Sequence, residues 1–562
     1  MADNYDDYSK EELIRELRAK NQKPRFGLYW ERDDIEHERA INTDFVALDL
    51  DESLSCGDAP FQNLIIEGDN FDALRYLRMT YKGQVKCIYI DPPYNTGNKD
   101  FVYNDRFIDK DDVYKHSKWL EFMYRRLELA RDLLAEDGVI FVSIDDNEQA
   151  NLKLLMDNVF GANNFIANVI WQKKQSPQSD ATYFSTMHDY ICVFAKQSKT
   201  NKNDPNGFSL AKLERTDIQN NRYQNPDNDP RGAWTSSDYT CNKNSDERPN
   251  LYYPIVNPNT HKEILPLKTS VWRYSQERHN ENVNNNLIVW GSDGKGRPRF
   301  KRFIDKVSGV VPSTWWTREF AGDNQEARKE LRKIFSEHET DFTTPKPTRL
   351  IERILQIATD KNSIILDFFA GSGTTGQAVL NLNKQDGGNR RFILVSNTEA
   401  TEAEPDKNLC RDVCAERVRR VMQGYTNQKA EQVEGLGVNP STGLRTGFAY
   451  LKTRRINSET LLTEIQHSQI WTALQLSHGA ALSAFNPNSS VQQLQTADNT
   501  VMYLCQLTEQ ELTAVIECLE KQQTTVYSWQ PALLSHYIEN ANLTCLPIPK
   551  FLLDRFGTGV KA

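Results

Sequence analysis

Two short stretches of this chain combine residue types that can do chemistry. The first, Asp91-Pro92-Pro93-Tyr94, ends an apolar strand-like run at 85–90 with a carboxylate, two prolines and an aromatic ring. Prolines stiffen a turn and keep only their carbonyl acceptors, so the stretch would form a rigid pocket at a strand's carboxyl end, where open α/β sheets bind ligands. Turn punctuation with a packed tyrosine is the plain alternative. The second, Asp367-Phe368-Phe369-Ala370-Gly371-Ser372-Gly373-Thr374-Thr375, lies between a strand-like run at 364–366 and a helical run at 377–382. Its glycines would let the backbone approach a ligand closely, and the N–H groups of the following helix would face an anion. A carboxylate or phosphate of a nucleotide-type cofactor fits there, although the third glycine of the dinucleotide fingerprint is missing. A ligand-free strand-to-helix connection is the alternative.

The elements that must position these stretches alternate in type. Strands are predicted at 64–66, 85–90 and 139–144 and helices at 71–78 and 119–134, with Asp137-Gly138 stopping the second helix. The alternation resumes at 347 with a helix, a strand at 364–366, a helix, a strand at 392–395 and a helix at 409–422. Such a pattern builds one parallel sheet covered by helices, an α/β fold. Ser9 and Glu12 are spaced as a capping box for a helix over 9–20, with Leu13, Ile14 and Leu17 on one face. We divide the chain into an amino-terminal arm and helix (1–60), two halves of the sheet domain (61–196 and 341–428), an insertion (197–340) and a carboxyl-terminal module (429–562). The insertion is rich in Asn, Asp, Pro, Gly and Trp and too long for a structureless loop. In the last segment Thr508 and Glu511 form a second capping box, between strand-like runs at 501–504 and 524–529, which suggests a small α/β module for pairing, for partner docking or as a plain extension.

Composition bounds the function. The chain has 562 residues, 38% of them hydrophobic and 26% charged, enough for several cores. No apolar run approaches the roughly 18 residues of a membrane helix, and the acidic, polar first ten residues carry no secretory signal. A cytoplasmic location is expected. Nine cysteines form no Cys-x-x-Cys pair, and Cys410 and Cys414 pack within a helix, so no metal site is expected. A net charge of −9 confines any nucleic-acid site to a local basic patch. The segment from Lys295 to Phe303 offers one, with Lys295, Arg297, Arg299, Lys301 and Arg302 beside Phe300 and Phe303, suited to phosphates and to base or guanidinium stacking. A solvated basic loop is the alternative.

Together the two opening motifs resemble the amino-methylating DNA methyltransferases that use S-adenosylmethionine, in the beta-class order with the catalytic tetrapeptide before the cofactor glycines. The resemblance extends through Ile66-Glu67-Gly68-Asp69, Thr344-Pro345-Lys346-Pro347, Arg349 to Arg353 and residues 391–399, and so covers most of the first 425 residues. The stretches His188-Asp189-Tyr190-Ile191, Asp229-Pro230-Arg231-Gly232, 294–303 and Val311 to Trp315 are similar to those of modification subunits of type III restriction systems.

The resemblance implies a Rossmann-like S-adenosylmethionine-dependent methyltransferase sheet, an insertion that recognises the DNA target, and methyl transfer to N6 of an adenine flipped out of duplex DNA. Asp91 and Pro92 would accept the amino hydrogens, Pro93 would stiffen the turn and Tyr94 would stack on the base. Phe369 and Tyr94 would face the cofactor's sulfonium, and Asp367 with the Gly371, Gly373, Thr374 and Thr375 turn would hold its methionine part. Glu399 would hold the ribose hydroxyls, although Ser396-Asn397-Thr398 before it is more polar than this family's usual sequence. Asp69 and Asn70 would lie near the cofactor adenine, unless they only cap the helix at 71. Thr344 and Lys346 would lie beside the cofactor carboxylate, unless their loop is purely structural. Implied partners are double-stranded DNA, a restriction subunit and a second copy of the chain. Two alternatives stay open: N4-cytosine methylation, against which an aspartate-first tetrapeptide weighs, and a recognition subunit without catalysis. No phosphate loop for ATP-driven translocation is present.

Overall fold

A computed structural model describes residue 30 and residues 44–552, excepting 104–105, 110–113, 292, 308, 338–339, 341, 402–403, 428, 438–445, 497–498, 521 and 549. The helix expected over 9–20 lies outside the described residues.

The main sheet has ten strands, β1 (Phe45–Cys56), β2 (Asn63–Glu67), β3 (Val85–Ile90), β4 (Leu134–Ile144), β5 (Phe165–Gln172), β6 (His188–Ala195), β7 (Trp315–Trp316), β8 (Ile364–Asp367), β9 (Arg391–Ser396) and β10 (Phe448–Ile456). Their order is β1-β10-β2-β9-β8-β3-β4-β6-β5-β7. The six strands from β10 through β4 run parallel, and their residues read as near-continuous Val, Ile, Leu and Phe because helices cover both faces. β6 is antiparallel to both β4 and β5.

Two connections set the geometry of the site. From β3 the chain passes through α2 (Lys115–Leu133) to β4 on one side, and from β8 it passes through α6 (Thr374–Asp386) to β9 on the other. Adjacent strands whose connections diverge leave a crevice at their carboxyl ends. Ile365 pairs with Cys87 and Leu366 with Ile88, so the tetrapeptide after β3 and the glycine turn after β8 open into the same crevice.

Local signals explain the supporting helices. Asp69 caps α1 (Asn70–Tyr81) by accepting from the Phe71 N–H at 2.8 Å. α3 (Gln149–Met156) follows β4, and α4 (Asn324–Ile334) carries a cap from Asp323. α5 (Thr348–Ala358) buries the stripe Leu350, Ile351, Ile354 and Leu355. Past β9, α7 (Glu416–Gln423) continues a π-helical turn at Cys410–Ala415, in which both cysteines are buried.

Several elements differ from expectation. α2 ends at Leu133, and Asp137 and Gly138 lie inside β4, where Asp137 pairs with Lys86 across a register shift. A side chain at 138 would meet the Ala135 carbonyl at 2.8 Å, which explains the glycine. β10, from the expected tail, inserts between β1 and β2, and β1 comes from the expected arm. Phe448 to Leu451 are fully buried there, and only the partner strands on either side reveal that position.

The second compact unit spans 211–312, narrower than the expected 197–340, because β7 joins the main sheet and α4 belongs with the main unit. It has a three-stranded sheet, Ile288–Val289, Arg299–Phe303 and Trp234–Asp238, and a core of Tyr239, Tyr253, Ile255, Trp272 and Ile288. The carboxyl-terminal part forms a four-stranded sheet, Val491–Gln495, Thr500–Leu504, Thr524–Ser528 and Leu543–Pro547, with the helix Glu509–Leu519 opened by the Thr508 and Glu511 capping box.

The β3 and β8 contact should behave as one packing unit. Ile88→Ala and Leu366→Ala, at fully buried partner positions, should each lower the unfolding free energy by ~2–5 kcal/mol in denaturant titrations, and the double variant should depart from the sum. Simple additivity would mean that the two side chains do not share a packing contact.

Candidate functional site

β3 delivers Asp91 into the crevice, and two neighbours lock the turn that follows. The Trp119 indole donates to the Pro93 carbonyl at 2.7 Å. Asn95, in left-handed backbone at φ 58°, donates to the buried Glu148 carboxylate at 2.5 Å. Glu148 also binds the His116 ring at 2.6 Å and the Asn151 amide at 2.8 Å. These contacts leave Asp91 and Tyr94 facing the crevice.

The two oxygens of Asp91 have different surroundings. Oδ2 accepts from the Lys346 ammonium at 2.5 Å, whereas Oδ1 is buried without a hydrogen-bond partner among the described residues. The Tyr94 hydroxyl is likewise buried and unpartnered, and the Lys346 nitrogen lies 5.1 Å from the centre of its ring. Burial, with the Asp91 and Asp189 carboxylates nearby, pushes the Tyr94 hydroxyl well above its usual range, so it stays protonated. Asp189, on β6, is itself pushed up by burial while Lys173 donates to it at 2.5 Å. An unpaired buried acceptor and hydroxyl in one pocket have capacity for a polar ligand that supplies its own donors.

The glycine turn is held just as firmly. Asp367 accepts from the Thr375 hydroxyl at 2.5 Å and from the Phe369 N–H at 3.1 Å. Gly371 and Gly373 adopt φ 49° and 75°; a side chain on the first would meet the Phe342 ring at 2.9 Å, and on the second the Cys414 carbonyl at 2.8 Å. Only glycine fits both positions. The first N–H groups of α6 have no intrahelical acceptors and carry partial positive charge. These N–H donors at a close backbone approach fit the carboxylate of an amino-acid moiety such as that of S-adenosylmethionine.

Asp69 and Asn70 reach the same turn from β2. Asn70 donates to the Phe368 carbonyl at 2.8 Å and accepts from Arg126 at 2.5 Å, and Asp69 lies 3.3 Å from that guanidinium. Arg126 stacks 3.6 Å from the Phe122 ring centre, and Phe122 lies 6.0 Å from Phe369. Lys346 is joined to the tetrapeptide by its ammonium and to the turn by its carbonyl, which accepts from Thr374 at 3.4 Å. Thr344 is exposed. Glu399, three residues past β9, is paired with Lys407 at 3.4 Å and makes no hydrogen bond to the other site residues.

Sequence reasoning missed Arg417, a fully buried side chain that donates to Thr374 at 2.7 Å, to Ser372 and Thr348 at 3.1 Å and to Gln377 at 2.8 Å. It also missed Trp119, Arg126 and Asp189. Nothing in a helical arginine's sequence neighbourhood distinguishes an inward from a solvated one, since the contacts that bury it come from distant elements.

The basic segment divides. Lys301 is only 1% exposed and is locked between Asp227 at 2.5 Å and Asp229 at 3.0 Å, so it is removed from the phosphate-binding set: two carboxylates already neutralise it. Arg299 pairs with Asp238 at 2.7 Å. Lys295, Arg297 and Arg302 are exposed, and Arg297 donates to the Leu265 carbonyl. Among the described residues no group of three or more His, Cys, Asp or Glu could hold a metal, and no helix is long and apolar enough to cross a membrane.

Residues 85–400 match the DNA methylase family. The StyLTI Mod subunit of a type III restriction-modification enzyme from Salmonella typhimurium strain LT2 is 34% identical over 453 residues, covering 75% of this chain and 65% of that one. The EcoPI Mod subunit of Escherichia phage P1 is 34% identical over 390 residues, 60% of this chain and 58% of that one. The type II methyltransferase M.KpnI of Klebsiella pneumoniae is 30% identical over 394 residues, 65% of this chain and 89% of that one. The chain thus spans less than two thirds of the length of both Mod subunits.

The Asp367 carboxyl is pushed up to about 7 by burial, against the hydrogen bonds from Thr375 and Phe369. Between about pH 4 and pH 7 the folded protein therefore keeps a proton that the unfolded chain has lost, so this group's contribution falls as pH rises through that window. Thermal melts across it should show stability falling less, or rising more, with pH for Asp367→Asn than for the parent; identical slopes would contradict the assignment.

Proposed function

The chain belongs to the DNA methylase family, and on that premise we propose that it transfers a methyl group from S-adenosylmethionine to the exocyclic N6 of an adenine flipped out of duplex DNA, as the modification component of a restriction-modification system. The observation that carries this reading is the pairing of β3 with β8, which sets an unpaired Asp91 oxygen beside the glycine turn. An aromatic amine is a weak nucleophile because its lone pair is delocalised into the ring. Acceptors on its hydrogens localise that pair. Oδ1 of Asp91 and the Pro92 carbonyl take this part, and Lys346 on Oδ2 holds the carboxylate in its orientation. Tyr94 stacks on the flipped base.

When bound, the cofactor supplies an electrophilic methyl on a sulfonium. The Gly371 to Thr375 turn and Asp367 would hold its methionine part, Phe369 and Tyr94 would offer rings to its cation, Asp69 and Asn70 would serve its adenine and Glu399 its ribose. Thr344 flanks this site in the Lys346 loop. Holding two reactants in line accounts for much of the rate gain such a site can give.

The 211–312 unit serves target recognition, with Lys295, Arg297, Arg299 and Arg302 toward phosphates. Double-stranded DNA, a restriction subunit and a second copy of the chain are the partners this reading entails. Asp91 as the first residue of the tetrapeptide favours adenine over cytosine.

Base-resolution methylation mapping of DNA from cells expressing the chain should show methyladenine within one recognition sequence; methylcytosine, or no modified base, would overturn the reading. With that sequence as substrate, Asp91→Ala should lower transfer by at least ~100-fold while S-adenosylmethionine binding by calorimetry stays close to the parent value. Arg302→Ala should weaken DNA binding and reduce the salt slope by about 1, and an unchanged slope would remove Arg302 from the interface.

A further inference from the structure

The loop at 173–187 joins β5 to β6 and carries Tyr183 and Phe184, which are 91% and 96% exposed. They are the two most exposed large apolar side chains among the described residues, and they are adjacent. Isolated exposed rings are ordinary on a protein surface, but a pair held almost wholly in water on one loop invites a planar partner.

Strand register fixes where the loop leaves the sheet. Val142 on β4 pairs with Ile90, and two residues further on Ile144 pairs with Tyr190 on β6. Gln172 pairs with His188, so the neck of the loop emerges at the carboxyl end of β3, level with the tetrapeptide. Its two sides are pinned together: the Lys173 ammonium bonds Asp189 at 2.5 Å, and the Lys173 N–H bonds the Met187 carbonyl at 2.9 Å. Asp189 in turn is one of the carboxylates whose charge acts on Tyr94. Further out, the Gln178 N–H donates to the Ser185 hydroxyl at 2.7 Å, closing the loop below the two rings. A braced stem rooted at the pocket thus presents two aromatic rings at its tip.

We propose that Tyr183 and Phe184 form a stacking wedge that enters duplex DNA beside the target adenine and fills the space in the base stack that the flipped base vacates. The inference rests on the methyl-transfer reading above. Taking a base out of a duplex costs its stacking and pairing, and an inserted ring restores stacking to the neighbours it leaves behind. Tyr94 and the wedge therefore have separate tasks, the one holding the base and the other holding open the site it came from.

The test uses the full chain, S-adenosylmethionine and two duplexes with the mapped recognition sequence, one fully paired and one with the target adenine opposite an abasic site. On the paired duplex, Tyr183→Ala/Phe184→Ala should slow single-turnover transfer by at least about 10-fold, since both rings are lost. On the abasic duplex, where pairing no longer holds the adenine, the variant should recover nearly the parent rate. Tyr183→Phe should keep the parent rate on both, because the ring alone is required. Equal losses on the two duplexes would make the rings a general DNA contact, and no loss on either would assign them to a protein partner; both outcomes overturn the wedge. A parent protein that methylates neither duplex would instead overturn the transfer reading, and the wedge with it.

Discussion

The site depends on the parallel pairing of β3 with β8. These strands are nearly 280 positions apart in the chain, yet Ile88 and Leu366 sit side by side in the buried sheet. Because the connections after them diverge, the loops that follow share one crevice, which the Lys346 loop bridges through Asp91 and Thr374. Everything chemically distinctive about the chain extends from that crevice.

Charge in the crevice is arranged rather than merely accumulated. Asp91, Asp189 and Asp367 bring three carboxyl groups near one another, with Lys346 and Lys173 bonded to the first two. Asp367 receives only hydroxyl and amide hydrogens, and its burial favours the protonated form. The result is a differentiated set: a carboxylate with one tied and one unpaired oxygen, an ion-paired neighbour, and a third group able to give up its charge. The tied oxygen of Asp91 matters because a carboxylate free to rotate would not present a fixed acceptor to an incoming amine.

The 211–312 unit shows why a basic run is an incomplete description of a surface. Lys301 lies in the middle of the run, but alternation along Arg299–Phe303 turns it inward with Phe303 while Arg302 turns out. Once inside, it needs Asp227 and Asp229, because an unpaired buried ammonium is far costlier than a paired one. A strand's two-residue period therefore decided which cations can meet a phosphate.

Local elements and chemical motifs are legible in the order of the residues. Hydrophobic runs marked β3, β8 and β9, glycines at positive φ marked the turn after β8, and Thr508 with Glu511 marked the cap of a distant helix, because each of these signals depends on neighbours within a few residues. Asp91 to Tyr94 stood out for the same reason. Assembly of the whole sheet decided that β1 and β10 complete it, that Arg417 lies buried against the glycine turn, that Lys346 grips Asp91, and that Tyr183 and Phe184 stand exposed on the loop between β5 and β6. Those outcomes rest on contacts between segments far apart in the chain, whose identity is set by which buried surfaces and charges find partners when the whole sheet assembles.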